Sequence, residues 1–207
     1  MSKLKIEKAI VLPKPNFEGE VSVEEVILKR RSTRAFSSKS ITISQLSQLF
    51  WASQGISRGY YRTIPSAGAT YPLEVFSVVG GGGVESLDPA VYRYLPKEHS
   101  IINHLPGDLR KELCSACLGQ DFIRRAPLSL VVCAEYSRTT AGYGDRGVRY
   151  VHMEVGHLGQ NLSLQGEALG LCSVMVGAFR DEAVSRSLNL PPELKPLYVV
   201  PVGYSRD

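Results

Sequence analysis

Two hydrophobic periods alternate along the chain, and the changes between them mark its elements. Ser22-Val23-Glu24-Glu25 has the serine and glutamate spacing of a helix start, and Val23, Val26 and Ile27 give that helix an apolar stripe before Arg30 and Arg31. A second helix is predicted over 43–53, opened by Thr42 and Gln45, closed by Gly55 and buried through Ile43, Leu46, Leu49 and Phe50. Residues 74–79 and 91–95 read as strands joined through a turn at the glycines of 80–83. A helix over 108–118 follows, and the unbroken apolar run 128–134 reads as a central buried strand. The longest pattern spans 146–169, where Val148, Val151, Val155, Leu158, Leu162 and Leu169 form a seam with Gln165 as its one polar interruption. Gly156, Gly159 and Gly166 each lower helicity by up to about 1 kcal/mol relative to alanine, so close backbone packing is expected around them. Beyond Gly170 come a strand-like run over 172–176, a turn at Gly177, Ala178 and Phe179, a short helix over 182–188 and a last strand over 197–202.

The remaining stretches carry no clean period. Residues 1–20, with Pro13 and Pro15, read as an extended arm, and 21–207 as one domain. Residues 54–72, rich in glycine, proline, serine and tyrosine, read as a long loop, and long loops in compact domains are usually functional.

Composition narrows the class without naming a function. A chain of 207 residues with 43% hydrophobic and 21% charged residues suggests a folded domain rather than disorder. The first residues lack a signal-peptide core and no run reaches the length of a membrane helix, so a cytoplasmic location is expected. Cys114, Cys117, Cys133 and Cys172 are too scattered for a disulfide framework and read as buried thiols. His152 and His157 are five apart, which does not suit a helical metal pair, so no metal site is expected. The net charge of +4 is compatible with an anionic ligand, but no nucleic-acid-binding signature accompanies it.

Candidate chemistry concentrates in RRSTRAF at 30–36. Arg30, Arg31 and Arg34 with Ser32 and Thr33 emerge together at a helix end, and guanidinium forks pair with phosphate through parallel hydrogen bonds. A solvated charge run at a helix C-terminus explains the same residues. The glycines of 80–83 lack both the dinucleotide spacing and the Walker lysine. Pro65, Ser66, Ala67, Gly68 and Ala69 are small enough for a ligand to approach their backbone, as they would also be in a plain turn.

Three blocks together resemble the FMN-dependent nitroreductase family: RRSTRAF at 30–36, IPSAGATYPLEVF at 64–76, and GHLGQNLSLQGEALGLCSVMVGAF at 156–179 followed by PVGY at 201–204. The pattern is most similar to the branch of thiazoline and oxazoline dehydrogenases. The resemblance implies an α+β fold with a mainly antiparallel sheet flanked by helices, an intertwined homodimer, and FMN sites at its interface. It implies phosphate contacts from Arg30, Arg31 and Ser32, with Arg206 as a late basic candidate. It places Arg34 beside flavin N1 and O2, where a fixed cation stabilises the reduced anion. Pro65, Ser66, Ala67 and Gly68 would reach the partner's flavin, and the backbone of Val176, Gly177 and Ala178 would approach N5. Cys172 and Met175 depart from the glycine and proline common at these positions.

The expected function is hydride transfer from NAD(P)H through FMN to an electron-poor acceptor, such as a nitro compound or quinone, by a ping-pong mechanism. No side chain is required to react. Alternatives are an azoline-type dehydrogenase of peptide modification and a flavin-binding protein without turnover.

Overall fold

The computed structural model describes residues 9–206; the first eight residues of the expected arm and Asp207 lie outside them. Among the described residues the elements run β1 (Ile10–Val11), α1 (Val23–Lys29), α2 (Ile43–Gln54), β2 (Ile56–Arg58), β3 (Tyr61–Arg62), β4 (Leu73–Val79), β5 (Ala90–Leu95), β6 (Ser100–Pro106), α3 (Arg110–Ala116), α4 (Asp121–Arg125), β7 (Leu128–Ala134), α5 (Ser137–Tyr143), α6 (Arg146–Ala168), β8 (Cys172–Ser173), α7 (Asp181–Ser187) and β9 (Lys195–Gly203). Seven strands form one sheet in the order β1-β6-β5-β4-β7-β9-β8, and every neighbouring pair is antiparallel. The α+β architecture with a mainly antiparallel sheet, implied by the family resemblance, is thus present.

Helices cover both faces of this sheet. Along β7, Leu128, Leu130, Val132 and Ala134 enter the core beneath α2 and α6, while Val131 and Cys133 enter the core shared with α3, α4 and α7. With both faces covered, the strand reads as a continuous apolar run rather than an alternating one. α2 carries the full reciprocal cap: Thr42 Oγ1 accepts from Gln45 N at 3.1 Å and Gln45 Oε1 accepts from Thr42 N at 3.0 Å. In α1 only half is made, because Ser22 accepts from Glu25 N while the Glu25 carboxylate pairs with Lys29.

Several elements differ from the sequence reading. The extended arm joins the sheet edge through Ile10 and Val11. The long loop contains the β2–β3 ribbon and a 3-10 turn, Ala67–Ala69. Strand β6 and helices α4 and α5 carry no marked period. The expected strand 172–176 shortens to β8 plus one bridge from Val176 to Val199.

Helix α6 buries Val151, Val155, Leu158 and Leu162 against α2 and the sheet, leaving Val148 38% exposed. Gly159 meets the expectation of close packing, since a Cβ there would lie 3.1 Å from Met175 Sδ, whereas Gly156 faces open space. Gln165 is not the only polar residue in the seam, because Glu154 is buried within it at 2% exposure. Among the described residues no helix is long and apolar enough to cross a membrane.

Candidate functional site

The arginine stretch is positioned by backbone pairing at both ends. Arg30 caps α1 through its N–H on Val26 O and turns the chain into an extended path. Ser32 then pairs in parallel with Ser173 of β8, and Thr33 N donates to Ser173 O at 3.0 Å. Farther on, Ser37 N donates to Tyr204 O at 3.0 Å and Arg206 N to Ala35 O at 3.2 Å, while Phe36 is buried. The stretch is therefore fixed between the β8 edge and residues 204–206.

These contacts frame a cleft of about 620 Å³ whose lining includes Arg30, Arg31, Thr33, Cys172 and Ser205. Neither arginine makes an ion pair among the described residues. One acid, Glu167, also reaches the lining. Arg34 points elsewhere, its guanidinium 5.9 Å from the centroid of the Phe122 ring. Arg206 is exposed and joins this region through its backbone. Of the four free thiols, Cys114, Cys117 and Cys133 are buried as expected; Cys172 is half-buried, and burial raises its pKa.

The small-residue loop sits in a different environment. Ser66 Oγ donates to Glu154 Oε2 at 2.6 Å and accepts from Tyr71 N at 3.0 Å. Gly68 adopts φ 60°, and a Cβ there would lie 2.7 Å from the Tyr143 hydroxyl, so a side chain would be conformationally strained and would have to displace that hydroxyl. Asn161 of α6 donates to the carbonyls of Ala52 and Thr63, fixing the loop base to the helix. Pro65, Ser66, Ala67 and Gly68 are absent from the lining of the arginine cleft.

Burial pushes the Glu154 carboxyl up to about 7, opposed by the Ser66 hydrogen bond and the Arg62 charge. Its Oε1 and the Gln54 Nε2 are both buried without a hydrogen-bond partner. Arg62 donates to Gln54 Oε1, and its guanidinium lies over the Tyr71 ring at 4.6 Å.

The third stretch lies beside β9. Val176 exchanges hydrogen bonds with Val199 at 2.9 and 3.0 Å, Ala178 O accepts from Gln120 Nε2 at 2.9 Å, and Gly177 and Ala178 are exposed. Sequence reasoning named Thr33 beside the arginines, and the cleft includes it; it missed Cys172 and Ser205 in the cleft, and Gln54, Arg62 and Glu154 around the loop. A visible signal existed only for Glu154, which stands three residues after Val151 and four before Leu158 on the buried stripe. No cluster of three or more His, Cys, Asp or Glu suited to a metal occurs among the described residues.

Comparison with known proteins gives the family. The nitroreductase-like protein MJ1384 of Methanocaldococcus jannaschii is 45% identical over 191 residues, covering 91% of this chain and 93% of its own. A nitroreductase-like crystal structure from Anabaena variabilis superposes with a TM-score of 0.85 at 30% identity, over 98% of this chain and 42% of that one. The microcin B17-processing protein McbC of Escherichia coli is more distant, 29% identical over 62% of this chain and 48% of its own. Residues 27–204 match the nitroreductase family, and the chain belongs to it.

Proposed function

We propose that the chain is an FMN-dependent oxidoreductase that takes hydride from NAD(P)H and delivers it to an electron-poor acceptor, such as a nitro compound or quinone, in two half-reactions at one site. The observation that carries this reading is the pair Arg30 and Arg31, held without ion-pair partners on a cleft of a nitroreductase-family chain. Unpaired guanidiniums beside the Thr33 and Ser205 hydroxyls suit a phosphomonoester, so the donor set fits FMN. When bound, FMN supplies a ring that accepts and returns hydride at N5.

The chain's own residues then hold and orient. Arg30, Arg31 and Ser32 would bind the phosphate, with Arg206 as a further basic residue nearby. Arg34 would offset negative charge on the flavin's N1 and O2, and the backbone of Val176, Gly177 and Ala178 would approach its N5. Pro65, Ser66, Ala67 and Gly68 complete the site of a second copy in a homodimer. Exposed Val23, Ile27 and Leu28 on α1, and Val148 and Met153 on α6, support such an association.

A second reading, oxidation of an azoline in a peptide, draws support from the similarity to McbC and from Glu154, a carboxyl near neutrality able to hold a proton. One experiment separates the two. Protein purified with its flavin is mixed anaerobically with NAD(P)H or with an azoline-bearing peptide, and bleaching of the flavin absorbance is followed. Bleaching by NAD(P)H, with the released cofactor running as FMN, is the expected result; FAD alone, or bleaching only by the peptide, overturns the first reading.

A further inference from the structure

A second cavity, also of about 620 Å³, shares no lining residue with the arginine cleft. Its aromatic walls come from Phe17, Trp51, Tyr60 and Tyr71, and the lining carries Arg62 and Lys97. The indole of Trp51 is fixed through its N–H on Ile56 O at 3.2 Å, and the Phe17 ring packs against it at 5.3 Å between centroids. The surface is therefore broad, apolar and partly preformed, in the size range of small-molecule sites.

Arg62 gives the cavity its chemistry. The guanidinium is half-buried, and burial lowers its pKa. No carboxylate reaches ion-pair distance of it among the described residues. Glu74 and Glu154 favour its charge from farther away, while the Arg138 charge opposes it. One N–H is used on Gln54 Oε1, and the Tyr71 ring covers a face. A desolvated cation without a counterion is unfavourable, and a ligand anion would offset it through a fork of hydrogen bonds. His99 also lines the cavity, but its ring is engaged by Tyr94, Ser47 and Pro13, and burial lowers its pKa. Lys97 adds a second positive charge.

We propose that this cavity binds a planar aromatic carboxylate, with its ring among Trp51, Tyr60 and Tyr71 and its carboxylate on Arg62. A purely apolar ligand would leave Arg62 without a counterion. A polyphosphate would meet apolar walls and too few cations. The site is independent of the flavin reading, and its test uses no turnover.

The probes are 2-naphthoate and its neutral counterpart 2-naphthamide, titrated calorimetrically into the purified protein with whatever cofactor it carries. Naphthoate is expected to bind one site per chain about tenfold or more tighter than the amide, as a charge-assisted contact implies. Trp51 is the chain's single tryptophan, so its indole N–H gives one resonance in a nitrogen-correlated spectrum, and naphthoate should shift it. Arg62→Gln should remove the preference for naphthoate while leaving amide binding close to that of the unaltered chain. Equal affinities for the two probes, an unmoved Trp51 resonance, or unchanged naphthoate binding in a folded Arg62→Gln protein would overturn the site. If that variant does not fold, the probe comparison and the Trp51 resonance in the unaltered chain still decide.

Discussion

The arginine cleft and the loop on α6 handle charge in opposite ways. At the cleft, backbone pairing with Ser173 and residues 204–206 fixes the path of the chain, yet Arg30 stays half-buried and Arg31 exposed, without carboxylate partners. At the loop, Glu154 is carried into the core by a helix whose buried seam is mainly valine, leucine and glycine, and it responds by holding its proton to higher pH. Fixing a charge by backbone bridges keeps it available to a ligand. Fixing it on a packed helix changes its protonation state instead.

The largest expected effect tests the buried side. Glu154 has a folded pKa of about 7 against an ordinary value of 4.5. Between these values the folded chain keeps a proton that the unfolded chain has released, so stability falls as pH rises through this window. The total is about 3 kcal/mol, and below pH 4.5 it vanishes because both states are protonated. Denaturant unfolding from pH 4 to 8 should show the decline, and Glu154→Gln should flatten it. An unchanged slope in that variant would show that the buried carboxyl does not titrate as described.

The cleft side is tested by flavin affinity. Arg30→Ala should weaken FMN binding by about 1.5 to 3 kcal/mol, the range for a hydrogen bond to a charged group. Arg34→Ala should weaken it less and lower the flavin potential instead. Equilibrium titration and spectroelectrochemistry of both variants give the comparison, and full affinity with an unshifted potential in both would remove these roles.

A smaller effect crosses between groups on the buried side. The Arg62 charge opposes the rise of the Glu154 pKa, so Arg62→Gln should move the pH midpoint of the stability decline upward, with flavin affinity unchanged. A midpoint that moves downward would contradict the sign of that interaction. The smallest is structural: Thr42→Ala removes the α2 cap and should cost about 1 kcal/mol in thermal or denaturant unfolding without altering FMN affinity. A larger loss of flavin than of stability would show that α2 supports the cleft directly.

Much of the fold was legible because its signals are local. β7 is covered on both faces and reads as an apolar run, β4 reads as a strand, and α2 announces itself through Thr42 and Gln45. The ribbon at β2 and β3 was not legible, because five strand residues with one buried face at most leave no period. α5 was hidden by its composition, since Ser137, Thr139, Thr140 and Gly142 are weak helix formers held in place by packing on α6. At the site, Arg30 and Arg31 could be found because they are neighbours in sequence. Cys172 and Ser205 reach the same cleft only through strand pairing across more than a hundred residues; Glu154 stood at a buried-stripe position, but charge on a helix usually marks its wet side.

The backbone contacts from residues 35 and 37 to residues 204 and 206 also set an order of events during synthesis. β9 lies between β7 and β8, so the edge that receives Ser32 is anchored only after residues 195–203 have emerged from the ribosome. Until then the stretch 30–36 is a tethered cationic segment with no groove beside it. Closing contacts of such long sequence separation is slow relative to helix formation, so ligand capture waits until residues 195–206 are in place.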